Sequence, residues 1–316
     1  MKIAFLGTPE FSKIVLEALY NSKHEIVCIV TNLDKESGRG HKVIYSPVKT
    51  FGLEKNIPVL QYKKVSLEGY DQIKSYNPDV LITASFGQLL KQNILDLAKY
   101  GVINVHTSLL PKYRGSCPIN WTIMKGEKTT GVTIMKTNIG LDTGDIILSK
   151  ELDIFPDETA GELTLRLAEL GSRTLLEALD LIENGTATFT KQNEEISSYY
   201  PMLSKDMAKI DFNNSAKQIQ NLCNGLNPWP ICYVILDEDK NERLKVYKAK
   251  PYENITNINL NNFNNGQVVL SSAKTGLVVK CADGLVLLDV IQAPNSKAMS
   301  SKCYLNGKTI QVGKQF

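Results

Sequence analysis

The chain has 316 residues, of which 43% are hydrophobic and 22% charged, and its formal net charge is +3. This composition is ordinary for a soluble globular protein of roughly two domains. Its six cysteines form no C-x-x-C pair and only three histidines accompany them, so we expect no metal site. No apolar run reaches the roughly 18 residues of a membrane span, and the first residues lack a signal-peptide pattern. We therefore expect a cytoplasmic protein, with a monomer as the default state.

Strand-like and helix-like runs alternate through the first half of the chain. After a strand at Lys2–Gly7, Thr8 is expected to cap a helix whose first position is Pro9. Such alternation predicts an α/β fold, a mostly parallel sheet with helices on both faces. The first turn contains Gly7 alone rather than G-x-G-x-x-G, so a dinucleotide cofactor is not supported. Further strands are expected at Glu25–Thr31, Pro58–Gln61, Asp79–Ser85, Gly101–His106, Thr130–Thr137 and Asp145–Leu152.

A long amphipathic helix is predicted over Thr159–Glu183, and the pattern changes after it. Residues 190–207 are polar and irregular and are interpreted as a linker. Beyond them, short strand-like runs with Gly and Asn turns predict a small β-barrel. The expected organisation is thus a first domain over 1–189, a linker over 190–207 and a second domain over 208–316. The barrel strands are expected at Ile231–Leu236, Arg243–Lys250, Gly266–Leu270, Gly276–Cys281 and Leu285–Gln292.

The strongest local signal for chemistry lies at the end of the fifth predicted strand. Asn104 and His106 are two residues apart there, so they point to one face of the sheet. Ligands in such sheets bind beyond the carboxyl ends of the strands. An Asn-x-His pair alone is more often a satisfied polar pair than a catalytic one, and that interpretation stays open on the pair by itself.

A second candidate is Asp142, which lies between Gly140 and Gly144 in a predicted tight loop. Alone, an aspartate there is more often a turn residue. Together with Asn104 and His106 it suits the attack of an amine on a formamide carbonyl. The amide NH2 and an imidazolium would donate to the developing oxyanion, and the carboxylate would orient the histidine or accept the proton of the amine.

Seven stretches spread over nearly the whole chain form a recognisable set. They are FLGTPEF (5–11), SGRGHK (37–42), SPVK (46–49), INVHTSLLPKYRG (103–115), TGVTIMKTNIGLDTGD (130–145), LAELG (167–171) and NPWP (227–230). With them the sequence resembles the methionyl-tRNA formyltransferases, within the wider family of folate-dependent formyltransferases. The resemblance implies a Rossmann-like, mostly parallel sheet that forms a formyltransferase domain, followed by a small OB-like β-barrel domain.

The resemblance also implies roles for individual residues. Asn104, His106 and Asp142 match the catalytic positions of the family, and the formyl donor would be 10-formyltetrahydrofolate. The acceptor would be initiator methionyl-tRNA. The residues matched to folate contact are Ser108, Leu109, Leu110, Pro111, Phe86, Gly87, Gln88, Ile139 and Gly140.

Contact with tRNA is implied at two places. One is the loop with Gly38, Arg39, Gly40 and Lys42, and the other is a basic face of the second domain with Lys248 and Lys250. Lysine and arginine there would neutralise phosphates. If the strand is regular, Lys248 and Lys250 share a face and Lys245 points opposite.

Three alternative functions remain to be compared. A formyltransferase acting on a nucleotide-sugar amine would share the SLLPKYRG loop but lack SGRG, and glycinamide ribonucleotide formyltransferases stop before any barrel. A non-enzymatic RNA-binding module would be expected to have lost at least one of Asn104, His106 and Asp142, and all three are present. These features favour tRNA as the substrate.

Overall fold

The structure is a computed structural model that describes residues 1–37, 42–237, 239–240, 242–254 and 258–316, with the backbone alone at 35–37 and 42. The chain forms two compact units. One comprises Met1–Pro118, Thr129–Asp153 and Thr164–Pro201, and the other comprises Ile119–Lys128, Ile154–Leu163 and Met202–Phe316. Two short segments of the first half therefore belong with the C-terminal unit. The domain limits expected from the sequence stay a prediction.

The strands of the first unit are β1 (Lys2–Gly7), β2 (Glu25–Thr31), β3 (Lys35–Ser37), β4 (Lys42–Ile44), β5 (Val59–Gln61), β6 (Val80–Ala84), β7 (Val102–His106), β8 (Arg114–Gly115), β9 (Thr129–Lys136), β10 (Ile146–Asp153) and β11 (Tyr199–Tyr200). Seven of them form a sheet with the strand order β10-β9-β7-β6-β1-β2-β5. The five strands from β7 to β5 run parallel, whereas β9 pairs antiparallel with β7 and β10 pairs antiparallel with β9 at one edge.

The central strands are apolar because both of their faces are covered. All five residues of β6 are buried, as are five of the six in β1. The strands expected from the sequence are present, and the predicted α/β, Rossmann-like class is confirmed. The helices of the chain are α1 (Glu10–Tyr20), α2 (Pro47–Glu54), α3 (Val65–Glu68), α4 (Tyr70–Ser75), α5 (Gln92–Leu95), α6 (Pro118–Met124), α7 (Ala160–Glu183), α8 (Ala216–Gly225) and α9 (Ser301–Tyr304).

The expected cap of α1 is wrong. Pro9 occupies the N-cap position and makes no side-chain capping bond. The Thr8 hydroxyl instead accepts hydrogen bonds from the Thr31 hydroxyl at 3.2 Å and from the Asn32 side-chain amide at 3.1 Å. A tertiary contact between the ends of β1 and β2 therefore replaces the local capping bond.

The long helix α7 follows its apolar periodicity closely. Leu163, Leu167, Leu175 and Leu179 are fully buried, whereas Leu170 is only partly buried. Its Gly171 faces the sheet, where an added Cβ would lie 3.0 Å from Val105. Within the described ranges, no helix is both long and apolar enough to cross a membrane.

The strands of the second unit are β12 (Cys232–Asp237), β13 (Glu242–Pro251), β14 (Val268–Ser272), β15 (Gly276–Cys281), β16 (Gly284–Gln292) and β17 (Met299–Ser300). They form an antiparallel sheet with the strand order β12-β13-β16-β15-β14, and β17 pairs with β16. This arrangement confirms the small OB-like β domain predicted after the α/β domain. Helix α8 begins at a capping box formed by Ser215 and Gln218.

Strand β13 is irregular, which changes the expected direction of its lysines. Its pairing with β16 shifts register between Val246 and Lys248 and again between Lys248 and Ala249. Leu244, Val246 and Ala249 are buried, so an odd step separates the last two core positions. A bulge of this kind moves the later residues to the opposite face. The expectation that Lys245 points away from Lys248 and Lys250 was made for a regular strand and does not hold for this irregular one, because all three lie on the side opposite the core.

Candidate active site

Strand β7 presents Asn104 and His106 from the middle of the sheet, between β6 and β9. Asn104 lies beside Thr83 of β6, and the Thr83 hydroxyl donates a hydrogen bond of 2.9 Å to Asn104 Oδ1. In this orientation the carbonyl oxygen of the Asn104 amide is used as the acceptor, and its NH2 group points away from Thr83. Among the residues that the structure describes, none accepts a hydrogen bond from the Asn104 NH2 group, which is left to donate to a ligand.

His106 is buried, with 5% of its surface exposed. Its Nε2 lies 3.0 Å from the backbone oxygen of Tyr113. Since a carbonyl only accepts, Nε2 carries a hydrogen and donates it, which leaves Nδ1 for exchange of the second proton. Tyr113 adopts a left-handed backbone conformation, with φ of 60°, and this aims its carbonyl back at the histidine. The turn is closed by Ser108, whose hydroxyl donates to Lys112 O at 2.7 Å.

Asp142 completes the group. Its Oδ1 lies 3.7 Å from His106 Nδ1, and its Oδ2 accepts a hydrogen bond of 2.8 Å from the Gly115 amide. The side chain is 15% exposed. The backbone of Asp142 is left-handed as well, with φ of 52°. The structure thus brings the three predicted catalytic residues together, although Asp142 is far from the other two in sequence.

The stretch Ser108-Leu109-Leu110-Pro111 is anchored to β9 by one side chain. The Thr133 hydroxyl donates to Ser108 O at 2.7 Å and accepts from Leu110 N at 3.1 Å. The side chain of Leu109 packs against Gly131, where an added Cβ would lie 2.5 Å from the leucine. The backbone of this predicted folate-contacting stretch is therefore fixed against the sheet.

The other predicted folate residues play different structural parts. Phe86 is buried in the apolar core of the first unit. The Gln88 side chain accepts from Val65 N at 2.9 Å and donates to Tyr62 O at 3.0 Å and to Asn32 Oδ1 at 2.9 Å, so it joins three loops. Gly87 has φ of 77°, and Gly140 N donates to the Asn138 side chain at 3.0 Å. Ile139 is 70% exposed.

The structure describes only some of the predicted tRNA-contacting residues. Gly38, Arg39 and Gly40 lie outside the described residues. Lys42 begins β4, and its side chain is not described. Lys248 and Lys250 lie on β13, where Lys250 Nζ is 3.0 Å from Asp289 Oδ2.

Sequence reasoning missed four groups that hold the site together. They are the Thr83 hydroxyl, the Tyr113 carbonyl, the Gly115 amide and the Gln192 side chain, which donates to the backbone of the Asp142 loop. The one usable signal was Thr83, a polar residue near the carboxyl end of an otherwise apolar strand. The backbone groups gave no signal, because every residue carries them.

Gln192 is itself held by Arg114, which is fully buried and paired with Glu194 at 2.7 Å. The hydrogen bond with Glu194 raises the pKa of the Arg114 guanidinium and lowers the pKa of the Glu194 carboxyl. Both shifts favour the charged pair. Within the described part of the chain, no group of three His, Cys, Asp or Glu side chains is placed to hold a metal ion.

Comparison with known proteins finds similarity along nearly the whole chain. A family model described as formyl transferase matches residues 1–179, and one described as formyl transferase, C-terminal domain, matches residues 202–309. A methionyl-tRNA formyltransferase of Clostridioides difficile is 43% identical over 99% of both chains, and one of Acetivibrio thermocellus is 42% identical over 99% of this chain and 98% of that one. The chain belongs to the methionyl-tRNA formyltransferase family.

Solved structures of other proteins share the fold. WlaRD, described as a sugar 3N-formyl transferase, superposes with a TM-score of 0.65 at 22% identity, over 94% of this chain and 99% of that chain. HypX from Aquifex aeolicus in complex with tetrahydrofolic acid gives 0.63 at 18% identity, over 96% of this chain and 47% of that one. At these identities the likeness extends to the fold alone.

Proposed function

We propose that this protein transfers the formyl group of 10-formyltetrahydrofolate to the α-amino group of methionine on initiator methionyl-tRNA. The observation that carries the proposal is the grouping of Asn104, His106 and Asp142. It is supported by relatives of that name that match the chain from end to end. The enzyme acts in the cytoplasm as a monomer.

The arrangement suits direct attack by the amine. As the nitrogen bonds to the formyl carbon, the carbonyl oxygen gains negative charge. The Asn104 NH2 group and protonated His106 donate to that oxygen. Each such donor typically raises the rate on the order of 10²- to 10³-fold. Asp142 accepts the proton that the amine loses. The bond to the folate nitrogen then breaks, the carbonyl re-forms, and the proton passes to the departing folate.

The folate is held, in this proposal, along Ser108–Pro111 and between the loops at Phe86–Gln88 and Ile139–Gly140. The apolar side chains and backbone polar groups of these segments fit an aromatic ligand with polar edges. Exposed apolar side chains on both loops, Leu89 and Ile139, offer surface for a flat ring, and backbone groups of the anchored stretch offer hydrogen bonds.

Contact with tRNA is assigned to the sequence segment with Gly38, Arg39, Gly40 and Lys42 and to the outward face of β13. Cationic side chains on that face form a row, and Arg243 lies 4.2 Å from the ring of Tyr233. A row of positive charge along one strand suits contact with phosphates and carries no base specificity.

A direct assay tests the function. Purified protein with 10-formyltetrahydrofolate is given methionyl-tRNA in one arm and a dTDP-linked amino sugar in the other, and we expect formylation of the tRNA alone. His106→Ala is expected to lower kcat by at least about a hundredfold while tRNA binding, measured by filter retention, stays nearly unchanged. Formylation of the sugar alone would overturn the substrate, and normal turnover by His106→Ala would overturn the mechanism.

A further inference from the structure

One glutamine outside the catalytic group spans the distance between a buried arginine and the Asp142 loop. Gln192 Nε2 donates to the backbone oxygens of Asp142 and Gly144, both at 2.8 Å. Its Oε1 accepts from Arg114 Nε at 3.0 Å and Nη2 at 2.7 Å. Both N–H groups and the carbonyl of the amide are therefore used, so the side chain has one orientation.

The arginine that holds this glutamine is itself immobilised. Arg114 is among the largest fully buried side chains. Beyond the two bonds to Gln192, it donates to both oxygens of Glu194, at 2.8 and 2.7 Å, and to the Tyr199 hydroxyl at 2.8 Å. All five of its N–H groups have partners, and a planar guanidinium satisfied in this way is rigid.

Asp142 is held at two places, its carboxylate by Gly115 and its backbone by Arg114 through Gln192. The Gly115 amide fixes the carboxylate, and Arg114, acting through Gln192, fixes the backbone carbonyl. The loop needs such support, because Asp142 has a left-handed backbone and an added Cβ at Gly144 would collide with Lys136 O. Left-handed conformations at residues other than glycine persist only where surrounding contacts hold them.

The chain segment that follows Gln192 also supports His106. The Ser198 hydroxyl accepts from Tyr113 N at 2.9 Å, and Ser198 O accepts from Arg114 N at 2.8 Å. The ring of Tyr200 stacks on that of Tyr113 with centroids 4.9 Å apart. The Tyr113 carbonyl is in turn the acceptor for His106.

We propose that Gln192 is a positioning residue for formyl transfer, which sets the place of the Asp142 carboxylate opposite His106 by linking the Asp142 loop to Arg114. The inference rests on the proposed function. The segment from 192 to 200 is then part of the catalytic unit rather than a passive connection. Misplacement of a reacting group by about 1 Å can lower a rate on the order of a hundredfold.

The test is Gln192→Glu, a change that keeps the acceptor for Arg114 and removes the donor for the loop. A carboxylate oxygen would then face the carbonyls of Asp142 and Gly144. We expect kcat for methionyl-tRNA formylation to fall by about 10- to 100-fold, with KM for both substrates within about twofold. Gln192→Met, a neutral variant of similar length, is expected to behave likewise.

Two controls separate positioning from stability. Gln220→Glu changes another buried glutamine, bonded to Asp157 in the second unit, and should lower the melting temperature without lowering kcat. In an Asp142→Asn background, Gln192→Glu should cost little more, because residues that act through one another are not additive. The inference would be overturned if the losses of kcat in the double variant were fully additive. It would also be overturned if Gln192→Glu raised KM instead of lowering kcat, or left kcat unchanged.

A readout independent of activity keeps the two proposals distinct. Hydrogen exchange of the peptide covering residues 138–145 should be faster in Gln192→Glu than in the wild type. If the wild type does not formylate methionyl-tRNA, the proposed function fails, while the exchange result still decides whether Gln192 holds the loop. Equal exchange in both proteins would overturn the positioning role.

Discussion

At the scale of single residues, the site depends on side chains that do no chemistry. Asn104 presents its NH2 group in the orientation in which its carbonyl oxygen accepts from the Thr83 hydroxyl. Without that hydrogen bond the amide is free to turn by half a rotation, which would present an acceptor where a donor is needed. Thr83 therefore helps to hold Asn104 in place for a substrate.

Thr83→Val tests this dependence, because valine keeps the shape of threonine and lacks the hydroxyl. We expect kcat to fall roughly tenfold, less than for loss of Asn104 itself, with little change in KM. Thr174→Val is the matched control, since that buried hydroxyl donates to Leu170 O within its own helix. An equal loss of kcat in both variants would contradict the role of Thr83.

At the scale of elements, the bulge in β13 decides what the second unit presents. Without it, Lys245 and Lys248 would lie on opposite faces. With the register shifts at Val246 and Lys248, Arg243, Lys245, Lys248 and Lys250 form one row. The four cations do not contribute equally, because Lys250 already pairs with Asp289 at 3.0 Å.

Kinetics at several salt concentrations test this row. Lys248→Gln is expected to raise KM for methionyl-tRNA, to reduce the slope of its salt dependence by about 1 and to leave kcat unchanged. Lys250→Gln should have the smaller effect, because the Asp289 carboxylate offsets its charge. Lys74→Gln on α4, with the same change in net charge, is the control. An identical salt slope in all three variants would argue against contact between β13 and tRNA.

At the scale of the whole molecule, the first unit is closed by contacts between distant parts of the chain. The amino group of Met1 donates to Glu183 Oε1 at 3.2 Å, at the end of α7, and to His24 Nδ1 at 3.2 Å. His24 is 7% exposed. Burial, and next the positive Met1 amine, lower the pKa of His24 from its usual 6.5.

This histidine predicts an acid-sensitive part of the stability. Because its pKa is lower in the folded state, the unfolded chain binds more protons once the pH falls below about 6.5. The free energy of unfolding should then decrease as pH falls through that value toward the folded pKa. His24→Gln removes this component. In urea unfolding, the free energy of unfolding should therefore fall more for the wild type than for the variant between pH 7.5 and pH 5.5. Parallel pH profiles would exclude this source of acid sensitivity.

The sequence by itself determined the class of fold and named all three catalytic candidates, but its spacing joined only Asn104 and His106. Strand and helix periodicity depends on local spacing, so β1, β6 and α7 were predictable, as was the shared face of Asn104 and His106 on β7. Local spacing failed where a tertiary contact replaced a local one. Thr8 bonds to β2 rather than capping α1, and a bulge turns Lys248 and Lys250 to the face of Lys245.

The tertiary structure alone decided how the site is held. The approach of Asp142 to His106, and the supports at Tyr113, Gly115 and Gln192, depend on contacts between distant positions, 50 residues apart in the case of Gln192 and Asp142. A backbone amide or carbonyl takes part in each of the three supports, and backbone groups leave no trace in residue identity. The spacing of polar residues therefore predicts which groups reach a site, whereas the packing of distant segments decides where each group points.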